Sequence, residues 1–231
     1  MKLLTNLFQS SLGKKFIMAV TGLGLFLFVI GHMVGNLQIF LGAELLNSYG
    51  HFLQSSPEIL WPARIGLLAM VGLHIWAAIT LRSLDNAARP VAYDGAPTPT
   101  ATTYASRTMV MSGLIIFCFI VYHLLHFTVM VDSLNLTGKS FATLKDARGY
   151  HDVYAMVVLG FSKPLVSGFY ILGMALLCLH LSHGVQALFQ SLGLRNPAYA
   201  PLTRKFAKAM ALVIFIGNSS IPLSVLLGIV K

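Results

Sequence analysis

Four histidines lie deep inside long apolar runs, one to a run: His32, His74, His123 and His180. Imidazole in hydrocarbon is costly, so an ionisable side chain within a membrane span marks a functional site by default. Imidazole is also a ligand for haem iron and for several divalent metals. Two histidines at one depth on two helices can take both axial positions of a haem iron. That arrangement leaves no open position for oxygen and suits electron transfer. Four of them in two depth-matched couples would hold two haems, one above the other.

Depth follows from the flanking charges. His32 lies 17 residues beyond Lys15 and His123 lies 16 beyond Arg107, about 25 and about 24 Å above the inner edge of the membrane. His74 precedes Arg82 by 8 residues and His180 precedes Gln190 by 10, about 12 and about 15 Å above that edge. His32 and His123 therefore form an outer couple. His74 and His180 form an inner one, roughly 10 Å away along the membrane normal. His126 and His183 each follow a chosen ligand by three residues and share its helix face, so they are rivals. His126 sits about 28 Å up, a poorer match for His32. His183 falls near the inner interface, within reach of a haem propionate or a neighbouring helix. His51 and His151 fall in external loops and read as solvated polar residues. A single membrane histidine reads as an interhelical hydrogen-bonding residue; the two couples are what shift the reading to metal or haem.

The elements that position these residues follow from composition. The 231 residues are 56% hydrophobic and only 10% charged, against about 25% charged in soluble domains. This is an all-α integral membrane protein, a single domain over residues 1–231, with no internal repeat. Five apolar runs are long enough to span: Phe16–Leu41, Ala63–Leu81, Thr108–Val131, Pro164–Phe189 and Lys208–Val230. Helices one to four carry the histidines and form the haem-binding bundle. The fifth has Asn218, Ser219, Ser220 and Pro222 but no histidine, and reads as a packing helix with a bend. Gly22, Gly24, Gly66, Gly72, Gly113, Gly168 and Gly173 are candidates for letting a flat macrocycle approach the helices.

Between the spans, residues 1–15 form an amphipathic lead and Ala43–Leu53 an interfacial helix. Ser83–Arg107, with Pro90, Pro97 and Pro99, is a flexible connector. Asp132–Lys163 folds back onto the membrane, and Gly193, Asn196, Pro197 and Pro201 break the chain before the last span. The first run is too long for a cleaved signal peptide and lacks a small-residue cleavage site. Cys118 and Cys178 belong to no CxxCH sequence, which excludes covalent haem attachment, and read as packing residues.

The net charge of +9 is distributed by side. With the N-terminus in the cytoplasm, the cytoplasmic side holds ten basic residues against two acidic, and the opposite side six against five. The positive-inside rule thus places the N-terminus in the cytoplasm and the C-terminus outside. This distribution accounts for the charge without nucleic acid. No span core contains Asp or Glu, so no carboxylate proton relay crosses the bilayer. GxSxG and HExxH are also absent.

Several segments, in order, resemble one known family. They are Gly31-His32-Met33-Val34-Gly35-Asn36, Gly42-Ala43-Glu44-Leu45-Leu46-Asn47, His51-Phe52 and Ser56-Pro57. Leu73-His74, Phe117-Cys118-Phe119-Ile120-Val121-Tyr122-His123, Phe169-Tyr170-Ile171 and His180-Leu181-Ser182-His183-Gly184 follow. Together they are similar to the cytochrome b membrane anchor of succinate dehydrogenases and fumarate reductases, in the branch with one five-helix subunit and two haems b. The resemblance implies ligands His32 and His123 for an outer haem and His74 and His180 for an inner one. It selects His123 over His126 and His180 over His183. It implies a flavoprotein subunit and an iron–sulfur subunit on the cytoplasmic face of a bacterial cytoplasmic membrane. Electrons would pass between them and a membrane quinone, often menaquinone in this branch, as a step of the tricarboxylic acid cycle. Dicarboxylate chemistry would belong to the flavoprotein, so this chain carries no catalytic side chain. Asn36 and Gln38 lie near the outer couple, but helix capping explains them as well as quinone binding does. One alternative is a haem b subunit of another quinone-linked oxidoreductase, such as nitrate reductase or formate dehydrogenase. The other is a haem-free, histidine-lined transporter. Quinol:cytochrome c reductases fit poorly, because their ligands come two to a helix.

Overall fold

In hydrocarbon a long apolar run can satisfy its backbone polar groups only from within, and helix is the form that does so. The protein, a computed structural model describing residues 2–88 and 103–231 with side chains from residue 6 onward, is accordingly helical. The helices are α1 (Lys2–Gln9), α2 (Ser11–Asn36), α3 (Ala43–Gln54), α4 (Pro57–Ala87) and α5 (Tyr104–Arg107). They continue with α6 (Met109–Phe127), α7 (Val153–Phe161), α8 (Pro164–Ser191) and α9 (Ala200–Leu226). Five are long and apolar enough to cross a membrane: α2 with its 3-10 extension to Leu41, α4, α6, α8 and α9.

The helices overrun the apolar runs. The first begins at Ser11 rather than Phe16, α4 extends beyond Ala63–Leu81 at both ends, and α9 begins at Ala200 rather than Lys208. Hydropathy marks only the hydrocarbon core, whereas backbone hydrogen bonding continues through the interface, where Lys and Arg keep their charges in water. Starts are set by local chemistry. Ser10 caps α2 by accepting from Gly13 N–H at 3.0 Å, and Pro57, Pro164 and Pro201 occupy first-turn positions of α4, α8 and α9. The third span stops at Phe127, short of Val131, and Met130 three residues on has positive φ.

Helix α2 packs against α4 and α8, and α6 packs against α8, while α9 lies along α8 with a smaller contact on α2. Ala207, Ala211 and Ile214 are each 0% exposed and form the stripe by which α9 attaches. The four histidine-bearing helices thus pack in the order α4, α2, α8, α6, and α2 and α6 meet through the His32 and His123 rings. Cys118 is exposed rather than packed, and Cys178 is half-buried.

The segment after α6 does fold back. Phe141 is fully buried, and α7 packs against α3, α8 and α9. Asn47 of α3 clips it in place: its Nδ2 donates to Asp152 Oδ1 at 3.0 Å, and its Oδ1 accepts from Tyr154 N–H at 2.8 Å. His51 and His151 are half-buried rather than freely solvated, and only His151 lies outside a helix. His51 belongs to α3 and stacks face to face on Tyr150, with centroids 3.6 Å apart. His151 donates through Nδ1 to Leu144 O at 3.2 Å, with Nε2 buried. A stacked tyrosine holds one ring and a backbone carbonyl the other, and no sequence spacing signals either. The Ser83–Arg107 connector is helical through Ala87 and again in α5; its prolines lie outside the described residues.

Candidate functional site

Two of the four sequence-selected histidines meet directly. The rings of His32 on α2 and His123 on α6 have centroids 5.7 Å apart at an interplanar angle of 87°. Two imidazoles on opposite faces of one iron have centroids about 6 Å apart, from two metal–nitrogen bonds of about 2 Å and two ring radii of about 1 Å. Each ring packs on a phenylalanine one turn earlier: Phe28 under His32 at 5.3 Å, and Phe119 under His123 at 6.1 Å. The outer couple therefore spans the bundle between α2 and α6, two helices with little packing between them.

The inner histidines dock on the same two helices. His74 Nδ1 lies 3.2 Å from Thr21 Oγ1 and 3.2 Å from Met18 O on α2. His180 Nδ1 lies 3.2 Å from Ser112 Oγ on α6. Thr21 stands eleven residues before His32, and Ser112 eleven before His123. Eleven residues are close to three helical turns, so each hydroxyl shares a face with the outer ligand above it, about 16 Å down the axis. Both inner histidines are thereby anchored at one depth, with a wider gap to the outer couple than the flanking charges imply. A glycine follows each hydroxyl. A Cβ on Gly22 would stand 3.2 Å from His74 Cε1, and one on Gly113 would stand 3.5 Å from His180 Cε1. Of the other candidate glycines, Gly24 faces Met70 and Gly173 the Phe119 ring, while Gly66, Gly72 and Gly168 face open space.

Hydrogen-bond directions leave the right atom free. Met18 O can only accept, so His74 carries its proton on Nδ1 and its lone pair on Nε2. Ser112 donates its own hydrogen to Met109 O at 3.1 Å, which leaves its oxygen to accept from His180. His123 Nδ1 lies 3.3 Å from Tyr170 Oη on α8. In all three residues Nδ1 is engaged with an oxygen, the arrangement that orients a ligating imidazole.

His126 behaves differently. It is 0% exposed, its Nδ1 lies 3.0 Å from Tyr170 Oη, and Phe127 and Phe141 pack against it. Its Nε2 is buried without a partner among the described residues. His183 lines a groove of about 390 Å³ at the end of the bundle where α2 begins and α8 ends, together with Lys15, Gln186 and Gln190. Among the described residues no three His, Cys, Asp or Glu side chains gather as a metal cage. Two-nitrogen sites fit a metal whose remaining ligands come from a macrocycle, so the donor set suits haem.

Sequence reasoning missed the acceptors Thr21, Ser112 and Tyr170. The first two carry a usable signal, a hydroxyl–glycine pair eleven residues before an intramembrane histidine.

One protein-family sequence pattern, described as the succinate dehydrogenase/fumarate reductase transmembrane subunit, matches residues 89–217, more than half of the chain. The matched region includes His123 and His180 and ends before α9 does. No curated protein and no solved structure matches the chain.

Proposed function

Because the chain belongs to the succinate dehydrogenase/fumarate reductase transmembrane-subunit family, we propose that it is the dihaem cytochrome b anchor of such a complex. In this reading it carries electrons between an iron–sulfur subunit and a membrane quinone. His32 and His123 hold the outer haem b, and His74 and His180 the inner one. The outer ring pair, 5.7 Å apart across the bundle, is the observation that carries the proposal. Bound haem would supply a one-electron redox centre.

The protein's own residues do the rest. Thr21 and Met18 O turn the His74 ring so that Nε2 is the free donor, and Ser112 does the same for His180. Gly22 and Gly113 keep side-chain bulk away from the two inner rings. Phe28 and Phe119 wall the outer couple with apolar surface that excludes water. The basic residues of the inner face, Lys14, Lys15, Arg195, Arg204, Lys205 and Lys208, orient the chain with its N-terminus in the cytoplasm of a bacterial cell. The flavoprotein and iron–sulfur partners dock on that side, and dicarboxylate chemistry takes place in the flavoprotein.

A dithionite-reduced absorption spectrum of the purified chain, with haem counted per polypeptide, tests the proposal. Two b-type haems per chain and copurification with a flavoprotein are expected. A spectrum with no b-type band refutes the haem assignment. Two haems on a chain that copurifies with a molybdenum oxidoreductase would replace the partner assignment.

A further inference from the structure

Three hydroxyl groups sit beside the imidazole nitrogens that point away from the proposed ligating atoms. We infer that Thr21, Ser112 and Tyr170 are positioning residues, each accepting a hydrogen bond from the Nδ1–H of an axial histidine and so tuning one haem and not the other. The inference rests on the dihaem reading: it extends the part of Thr21 and Ser112 from turning a ring to setting a potential, and gives Tyr170 a part that this reading leaves idle.

The geometry is specific on three counts. The distances are alike, 3.2 Å from His74 to Thr21, 3.2 Å from His180 to Ser112 and 3.3 Å from His123 to Tyr170. Each hydroxyl comes from a different helix than the histidine it meets, so these are not the self-contained bonds that Ser and Thr make within a helix. Each acceptor also has its own hydrogen disposed elsewhere. Thr21 donates to Ile17 O at 2.7 Å and Ser112 to Met109 O. Tyr170 has a second neighbour, His126 Nδ1 at 3.0 Å. When His123 presents Nε2 to iron, its Nδ1 bears the proton and donates to Tyr170. The Tyr170 hydrogen then goes to His126, which fixes His126 as the Nε2–H tautomer. The fully buried His126, a rival ligand by spacing, becomes the terminus of a directed chain from His123 through Tyr170.

An imidazole whose N–H is drawn towards an oxygen is a stronger donor at its other nitrogen. Stronger donation favours the oxidised metal, so removing the acceptor raises the reduction potential of the haem concerned. The three sites predict different sizes of effect. His180 has Ser112 alone, whereas His74 keeps Met18 O when Thr21 is replaced.

The test is a spectroscopic redox titration of the purified full chain with both haems bound. Ser112→Ala is expected to shift the inner haem upward, Thr21→Val to shift the same haem by less, and Tyr170→Phe to shift the outer haem alone. Ser112→Thr, which keeps the hydroxyl, is expected to retain the native inner potential. Unmoved potentials in Ser112→Ala and Tyr170→Phe would overturn the inference, as would a shift at the opposite haem. If Ser112→Ala loses its haem, retention by Ser112→Thr supports the hydroxyl role and loss from both refutes it. Tyr170→Phe preserves the ring and its packing, so selective loss of the outer haem there counts in favour. A wild-type chain without haem sinks the parent proposal. Two wild-type haems indifferent to these variants sink this inference alone.

Discussion

Gly22 and Gly113 occupy equivalent places beside the inner histidines, yet an added methyl meets different resistance at each. On Gly113 it would lie 3.5 Å from His180 Cε1, within the ordinary carbon–carbon range of about 3.5–4.0 Å. On Gly22 it would lie 3.2 Å from His74 Cε1 and 3.6 Å from Nδ1, so the ring must retreat by about 0.3 Å. His74 is poorly able to retreat, because its Nδ1 is held by both Thr21 and Met18 O. Replacing a mid-helix glycine by alanine favours the helix by about 0.8–1 kcal/mol, while overpacking costs about 1–3 kcal/mol. Gly113→Ala should therefore be neutral or slightly stabilising. Gly22→Ala should lie between neutral and about 2 kcal/mol destabilising, with the damage concentrated on the inner haem. Thermal unfolding in detergent, together with the haem-to-protein ratio and reduced spectrum, measures both effects. Equal damage from the two substitutions, or a Gly22→Ala defect at the outer haem, would refute the assignment of His74 to a confined inner site.

The ligand couples predict a pattern of haem loss: His32→Ala or His123→Ala removes the outer haem alone, and His74→Ala or His180→Ala the inner alone. Loss of the same haem from His32→Ala and His74→Ala, read by spectrum and haem count, would break the pairing. His126→Phe should leave both haems bound; if it empties the outer site while His123→Ala does not, the ligand is His126. Asn47 is 3% exposed and bridges α3 to the start of α7, so Asn47→Leu strands the Tyr154 N–H at a cost of about 1–3 kcal/mol. Thermal unfolding measures that loss, and limited proteolysis should show cleavage near residues 144–153 first; an unchanged midpoint and pattern would mean the clip bears no load.

How much of this was legible in the chain depends on the length scale. The four histidines and the five spans could be read from hydropathy and the rise of a helix, because one period governs both depth and face. Helix ends could not, since backbone pairing runs on through Ser11–Lys15 and Ala200–Lys205 where hydropathy has already fallen. The surroundings of His51 and His151, the Tyr150 ring and Leu144 O, come near only when the segment after α6 folds back, so spacing cannot show them. Tyr170 lies in one of the family-like segments, yet nothing in the sequence gives it a role. Its partners His123 and His126 lie on another helix, and no spacing within α8 points to them.

The chain has no repeated sequence, yet α2 and α6 share one local design. Each bears a hydroxyl, then a glycine, then eleven residues after the hydroxyl a histidine that packs on the phenylalanine one turn before it. These two helices form the frame, and α4 and α8 each contribute one histidine to it. The halves differ on the helices that contribute the inner histidines. Ten residues before His180 stands Tyr170, which engages His123; ten before His74 stands Arg64, whose guanidinium lies over the Trp61 ring at 5.4 Å. Among the described residues the His32 ring has no hydrogen-bond partner and is held by stacking on Phe28. Both inner histidines are thus fixed by directional bonds and only one of the outer pair is. Stacking fixes the plane of the ring but not which edge carries Nδ1, so His32 is the one of the four imidazoles whose nitrogens the protein orients least. On the dihaem reading its orientation would come from the metal bond itself, and the outer couple is the one that haem binding would organise.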